Sequence, residues 1–199
     1  MPRVSRAETE RNRELIDQCA AALLRARGLG VGVAEVMSAA GLTTGSFYKH
    51  FSSKDEMVAR ACELAFDEVA ERWKKRVESA HSSSDALSLI ALSYLSETNC
   101  AEPSKGCPLA ALAPEVAREA AEKPIRDSFS NGFRQLLSII AALQPEADPA
   151  AKRESALVSL SLMVGSMVLA RATRGDPVSD ELLQTARSRF SARASAQTK

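Results

Sequence analysis

With 199 residues, 45% of them hydrophobic and 26% charged, the chain can bury a real core in one or two soluble domains. Aromatic residues make up only 5%, while alanine, leucine and glutamate abound, which favours helices over strands. Two histidines (His50, His81) exclude a histidine-rich metal site, and the formal charge of +1 does not by itself point to nucleic acid.

The charge is unevenly spread. Residues 1–54 carry eight basic against five acidic side chains, a surplus of +3 that leaves −2 for the remainder. The four cysteines (Cys19, Cys62, Cys100, Cys107) form no Cys-x-x-Cys pair, and the N-terminus is polar rather than an apolar leader. Both features read as free thiols in a reducing cytoplasm.

Residues 1–8 read as a loose arm. Its Arg3 and Arg6 can touch phosphate or a minor groove, a disordered terminus being the simpler reading. The first helix spans Thr9 to about Arg27, with Leu15, Ile16, Cys19, Ala22, Leu23 and Ala26 on its apolar face. Gly28-Leu29-Gly30-Val31-Gly32 ends it, without the Lys-Ser/Thr that a phosphate-cradling loop needs. Val33–Ala40 is a short second helix, and Gly41 supplies the positive φ that reverses the chain. Thr43 is placed to cap the next helix. Phe47 and Phe51, four residues apart, enter the core together, while Thr44, Ser46, Tyr48, Lys49 and His50 occupy the opposite face. Two short helices across a glycine turn make a helix-turn-helix, whose second helix enters the major groove. Ser53 and Glu56 then stand at capping-box spacing.

Lys54 to about Ser79 is a long fourth helix with Met57, Ala61, Leu64, Ala65, Val69 and Trp73 along one side. Ser84 is expected to cap a helix over Asp85–Asn99, and Cys100–Cys107, with Pro103 and Gly106, is a loop. Helices follow over Pro108–Ala121 and from Pro124 to about Leu143, then a turn over Gln144–Pro149. Ala150–Thr173 is apolar nearly all round and must be buried on several sides. Its charge-free run Ser155–Ala170 is too short and serine-rich for a membrane span. Ser179 is expected to cap a last helix ending near Phe190, before a frayed tail. The class is all-α. With no Gly-x-Ser-x-Gly and only scattered carboxylates, the reading is no enzyme, no cofactor and no metal. A helical protein-interaction module that does not bind DNA is the alternative from another class, and salt-dependent retention on DNA separates the two.

The run Ala34–Met57 resembles the DNA-binding domain of the tetracycline-repressor family of bacterial regulators. The match rests on Phe47-Tyr48-Lys49-His50-Phe51 followed by Lys54-Asp55-Glu56. It is specific over about residues 9–60 and generic beyond. It departs at Gly32, where related sequences usually place Thr or Ser. The resemblance implies a three-helix DNA-binding domain over residues 1–53. Residues 54–199 would then form a helical ligand-binding and dimerisation domain in which 54–79 is the linking helix. It further implies a cytoplasmic homodimer on double-stranded, palindromic or near-palindromic operator DNA, released as a repressor when a small-molecule effector binds. DNA-binding candidates are Thr43, Thr44, Gly45, Ser46, Tyr48, Lys49, His50 and Lys54. Thr44, Gly45, Ser46 and Lys49 are set against base edges, and Tyr48, His50 and Lys54 against phosphates. Phe66, Trp73, Tyr94, Phe129, Phe133 and Met163 are candidates for the effector pocket, each equally well placed as ordinary core. Ser159, Val164 and Val168 are candidates for the dimer seam. Gly106-Cys107-Pro108-Leu109 is similar to a Gly-Cys-x-Leu/Phe segment in a subset of the family, some of whose members sense reactive species. At a helix N-terminus Cys107 is expected to have a lowered pKa, with Cys100 as a resolving thiol, which gives a redox-sensing repressor as the alternative.

Overall fold

The computed structural model describes residues 6–196, with side chains from 7 to 191, and among these residues all regular structure is helical. The N-terminal part is built from α1 (Arg6–Arg27), α2 (Val33–Ala39) and a short 3-10 segment, Thr44–Lys49. Ile16, Ala20 and Leu24 of α1, Val36 and Met37 of α2, and Phe47 and Phe51 close on one another, each at most 2% exposed. Gly28 and Gly41 end the two helices at φ 76° and 70°, where a Cβ is disfavoured. After Gly41, the Leu42 amide turns back to the Met37 carbonyl at 2.8 Å and closes the helix end. Helix α1 starts at Arg6, three residues before the expected Thr9. Arg3 and the side chain of Arg6, the proposed DNA arm, lie outside the described residues.

The body is organised on α3 (Lys54–Ser79), which runs from the N-terminal part into the centre of the molecule. Around it lie α4 (Ser83–Tyr94), α5 (Glu97–Ala101), a 3-10 turn at Pro103–Lys105, α6 (Pro108–Val116), α7 (Pro124–Ala142), α8 (Pro149–Ala172) and α9 (Pro177–Ala196). Several boundaries correct the sequence expectation. Ser82 rather than Ser84 caps α4, accepting from the Asp85 amide at 3.1 Å. The helix expected over Asp85–Asn99 breaks at Leu95, because Ser96 starts a new one by accepting from the Asn99 amide at 3.1 Å. Helix α6 stops at Val116 rather than Ala121. Ser179 caps nothing; its hydroxyl donates to the Ala170 carbonyl at 2.9 Å, while α9 already begins at Pro177 and continues past Phe190 to Ala196. Helix α8 is long and apolar enough to cross a membrane by length and composition alone. Its Ala156, Leu160, Met163, Met167 and Ala170 are at most 2% exposed, packed into the body with α7 and α9.

Helices α3 and α7 make the most extensive contact in the molecule, and Gly132 sets how close they come. A Cβ at Gly132 would lie 2.1 Å from Cγ of Phe66. The Phe66 ring is held edge-on by Phe129 at 5.5 Å and cannot swing away cheaply. Gly132→Ala is therefore expected to lower stability by about 1–3 kcal/mol, although alanine is the better helix former. Urea unfolding checks this. A variant as stable as the parent would show that the two helices are free to part.

Candidate nucleic-acid interface and body cavity

The presumptive reading segment is not a regular α-helix. Thr44–Lys49 forms a 3-10 turn closed by Ser46 N–H to the Thr43 carbonyl (3.0 Å) and His50 N–H to the Phe47 carbonyl (2.8 Å). Only six residues long and with Gly45 in its first turn, it has little intrinsic helical preference and takes its shape from its anchors. Those anchors are Phe47 and Phe51, whose rings stack at 5.5 Å in the core. Thr43 does not cap with its side chain; its carbonyl instead accepts from the Ser46 hydroxyl at 2.7 Å.

Thr43, Thr44, Gly45, Tyr48, Lys49 and Lys54 are exposed together, with Ser46 half-buried among them. Tyr48 stands out furthest, at 79% exposure, its ring edge-on to Phe47. His50 is the exception. It is buried at 7% exposure, and burial together with Arg13 and Lys49 holds its pKa below the usual imidazole range. Its side chain is turned inward, so it does not join the exposed set as expected. Beside it lies Arg13, a residue the sequence did not single out. From α1 the Arg13 guanidinium covers the Phe51 ring at 4.4 Å, donates to the His50 carbonyl and pairs with Glu56 at 3.3 Å. Only its helical position facing Phe51 hinted at this, and nothing in local spacing singled it out. Lys54 starts α3 in a capped turn. Ser53 Oγ accepts from the Glu56 amide at 3.1 Å, and the Glu56 carboxylate takes the Ser52 amide at 2.7 Å rather than that of Ser53. The bonds from Ser52 hold the Glu56 carboxyl below its usual pKa.

In the body, a cavity of about 220 Å³ opens between α3, α4 and the 102–107 loop. Of the six lining candidates only Trp73 and Tyr94 border it, 6.3 Å apart. Phe66, Phe129 and Met163 are spent on packing: Phe66 and Phe129 stack edge-on, and Met163 is fully buried in the core, while Phe133 lies half-buried against it. Cys107 also lines the cavity, as N-cap residue of α6, but its thiol is not activated. Burial pushes it up to about 11, and the Leu109 and Ala110 amides and the Tyr94 hydroxyl offset this only in part. The helix-end effect expected from sequence is thus outweighed by loss of solvent, and Cys100 is buried as well. In native protein at pH 7, Cys107 is expected to react with iodoacetamide about a hundredfold more slowly than an unperturbed thiol. Peptide mapping by mass spectrometry checks this, and labelling at the model-thiol rate would restore the sensor reading.

The dimer candidates lie largely inward. Ser159 is 2% exposed within the subunit, and Val164 and Val168 are half-buried against its own core. The exposed large apolar side chains of α8 are Leu157, Val158, Leu162 and Leu169, at 38%, 58%, 37% and 53% exposure, the last three on one stripe. Gly165 lies on the same stripe, with open space where its Cβ would be.

A helix-turn-helix module with an exposed polar segment on aromatic anchors is thus continuous with a helical body. Residues 18–61 match the family model of bacterial regulatory proteins, tetR family. No similar sequence was found among curated proteins. Among solved structures, the chain is similar to the reduced form of NemR from E. coli, at 21% identity over 90% of this chain and 95% of that one, with a TM-score of 0.74. It is also similar to a TetR-family transcriptional regulator from Cytophaga hutchinsonii (20% identity, 96% and 98% covered, TM-score 0.74). A TetR regulator from Legionella pneumophila gives 18% identity, the same coverage and a TM-score of 0.75. Over residues 18–61 the chain thus matches the tetR family of bacterial regulatory proteins, and along nearly its whole length it shares the fold of solved TetR-family regulators.

Proposed function

We propose that the protein is a homodimeric repressor that holds a palindromic operator in the cytoplasm and releases it when a small molecule enters the body. Residues 1–53 act as the reading head, 54–199 as the regulatory body, and α3 joins them. No enzymatic role is part of this reading. What supports it most is the joint exposure of Thr43, Thr44, Gly45, Tyr48 and Lys49 on a segment whose aromatic side is locked in the core. Thr44, Gly45, Ser46 and Lys49 read base edges, and Tyr48 and Lys54 hold phosphates. The α8 stripe of Val158, Leu162 and Leu169 faces the second subunit, because an apolar row of this kind on a soluble protein calls for a partner. The thiol-based alternative has weaker support, since Cys107 borders the cavity but is buried and its thiol is pushed up.

The test is selection of bound DNA from a random pool, followed by titration of two variants. Lys54→Ala is expected to weaken all sequences alike and to flatten the salt slope by about one unit. Lys49→Ala is expected to change the ranking of operator variants. Uniform loss with Lys49→Ala would move that side chain to the phosphate set, and a chain that selects no sequence would sink the regulator reading.

A further inference from the structure

The cavity wall has a sign. Arg72, Arg76 and Lys105 line it against one carboxylate, Glu102, and Lys105 already engages Glu102 at 2.7 Å. The two arginines bond only neutral acceptors. Arg72 donates to the Lys105 carbonyl at 3.1 Å. Arg76 donates to the Arg72 carbonyl at 3.1 Å and to the Ser93 hydroxyl at 2.5 Å. A third guanidinium, Arg171 of α8, approaches Tyr94 and Cys107; it donates to the Asn99 carbonyl at 2.8 Å and keeps a buried Nε without a partner. Burial lowers the pKa of the half-buried Arg72 and Arg171, and Glu68, the carboxylate that acts on Arg72, is already paired with Arg25. Tyr94 makes the same demand independently. It borders the cavity at 4% exposure, and its buried hydroxyl meets only the Cys107 thiol, a weak partner. A buried phenol and a buried cation without strong acceptors are costly unless something supplies one.

Beside the arginines on the same face of α3, Val69 and Trp73 join Tyr94 of α4 in an apolar patch, the Trp73 and Tyr94 rings 6.3 Å apart and edge-on at 65°. We propose that the cavity takes a small aromatic carboxylate, with its ring against Trp73 and Tyr94 and its carboxylate on Arg72 and Arg76. Planar guanidinium forks match a carboxylate in two parallel bonds, whereas a neutral ligand leaves both charges unanswered. A volume of about 220 Å³ is below the usual range for drug-sized ligands, about 300–1,000 Å³, and excludes nucleotides and multi-ring compounds. The inference rests on the effector-responsive reading above and names the class of effector.

Trp73 is the one tryptophan of the chain, so its emission reports directly on this cavity. The full-length protein is titrated with benzoate and with benzamide, its neutral counterpart, following Trp73 fluorescence. Binding to the labelled selected operator is followed in the same samples by anisotropy. Benzoate is expected to give a saturable change, and benzamide to need at least about tenfold more. Arg72→Met and Arg76→Met are each expected to weaken benzoate by about tenfold or more and to bring it level with benzamide. Two variants are used so that misfolding of either, seen by circular dichroism, leaves the other. The proposal is overturned if benzoate, salicylate and phenylacetate all leave Trp73 unchanged, if benzamide binds as tightly as benzoate, or if both folded variants bind benzoate like the parent. Saturable, arginine-dependent binding with no effect on operator affinity keeps the anion site and sinks the effector reading instead. Operator release without a Trp73 response places the effector elsewhere and overturns the anion site.

Discussion

Leu162→Asp is expected to give a folded monomer that has lost most of its operator affinity. Val158, Leu162, Gly165 and Leu169 follow one another at intervals of four, three and four residues, which keeps them on one narrow stripe of α8. The three side chains are 58%, 37% and 53% exposed, while the inward face of the same helix is buried. A charge on the outward stripe meets water in the free subunit and costs the monomer little. In a seam between two copies the same carboxylate is stripped of water against apolar groups, at a cost of several kcal/mol. Gly165 strengthens the assignment, since a helix without a side chain there lets a partner backbone come close. A lone subunit engages only one half-site and forfeits the effective concentration of the second head, roughly a hundredfold or more in affinity. Val164→Asp serves as the contrast. Val164 packs against the subunit's own core, so its replacement is expected to lower the unfolding midpoint rather than to split a folded dimer. Sedimentation velocity with far-UV circular dichroism separates the two outcomes. A Leu162→Asp protein that sediments as the parent dimer would remove this stripe from the interface.

The inward packing of Val164 and Val168, against the exposure of Leu162 and Leu169, shows where sequence stops informing. Helix α8 is apolar on nearly every side, so its pattern gives the helix but not the face that meets a neighbour. That face depends on where α7 and α9 settle. The Phe47–Phe51 pair was legible because both rings belong to one local turn and the positive φ at Gly41 needs no distant partner. His50 was misplaced for the opposite reason. Its ring is buried, which lowers its pKa, and its carbonyl is held by Arg13, 37 residues upstream. Gly132 looked like any helix-interior glycine until Phe66, 66 residues earlier, filled the space where its Cβ would lie. The charge of the cavity wall was unreadable for a related reason. Arg72 and Arg76 lie one turn apart on α3 and look like a solvated face until the 102–107 loop closes over them.

Arg25→Met is expected to leave dimerisation, operator binding and benzoate binding in place while cutting the link between them. Arg25 is a buried cation of α1, its side chain 5% exposed. Its Nε donates to the Ser104 carbonyl at 2.7 Å, and its other arm pairs with Glu68 of α3 at 2.6 Å. Ser104 sits between Glu102 and Lys105, both on the cavity wall, so a ligand that shifts this loop pulls on α1 through a charge-assisted bond. Twelve residues earlier, about 18 Å along the same helix, Arg13 grips the His50 carbonyl and the Phe51 ring beside the reading segment. One stiff helix therefore touches the cavity loop at one end and the DNA-facing segment at the other. Further contacts between head and body, among them Arg13–Glu56 at 3.3 Å, Asp17–Arg60 at 2.7 Å and Leu29 N–H to Glu115 at 2.7 Å, do not involve the cavity loop and remain. In the parent, ligand should weaken operator binding by a coupling of roughly 5- to 150-fold. In Arg25→Met that ratio should fall towards one, because methionine keeps the bulk and removes both bonds. Glu68 is one-third exposed and can be solvated once its partner is gone, so the fold should survive the change. Arg27→Met, which breaks only the exposed Arg27–Glu35 pair, should retain the parental coupling. The measurement is operator affinity with and without saturating benzoate in all three proteins. An Arg25→Met protein that releases DNA as fully as the parent would mean that the signal reaches the head through α3, not α1.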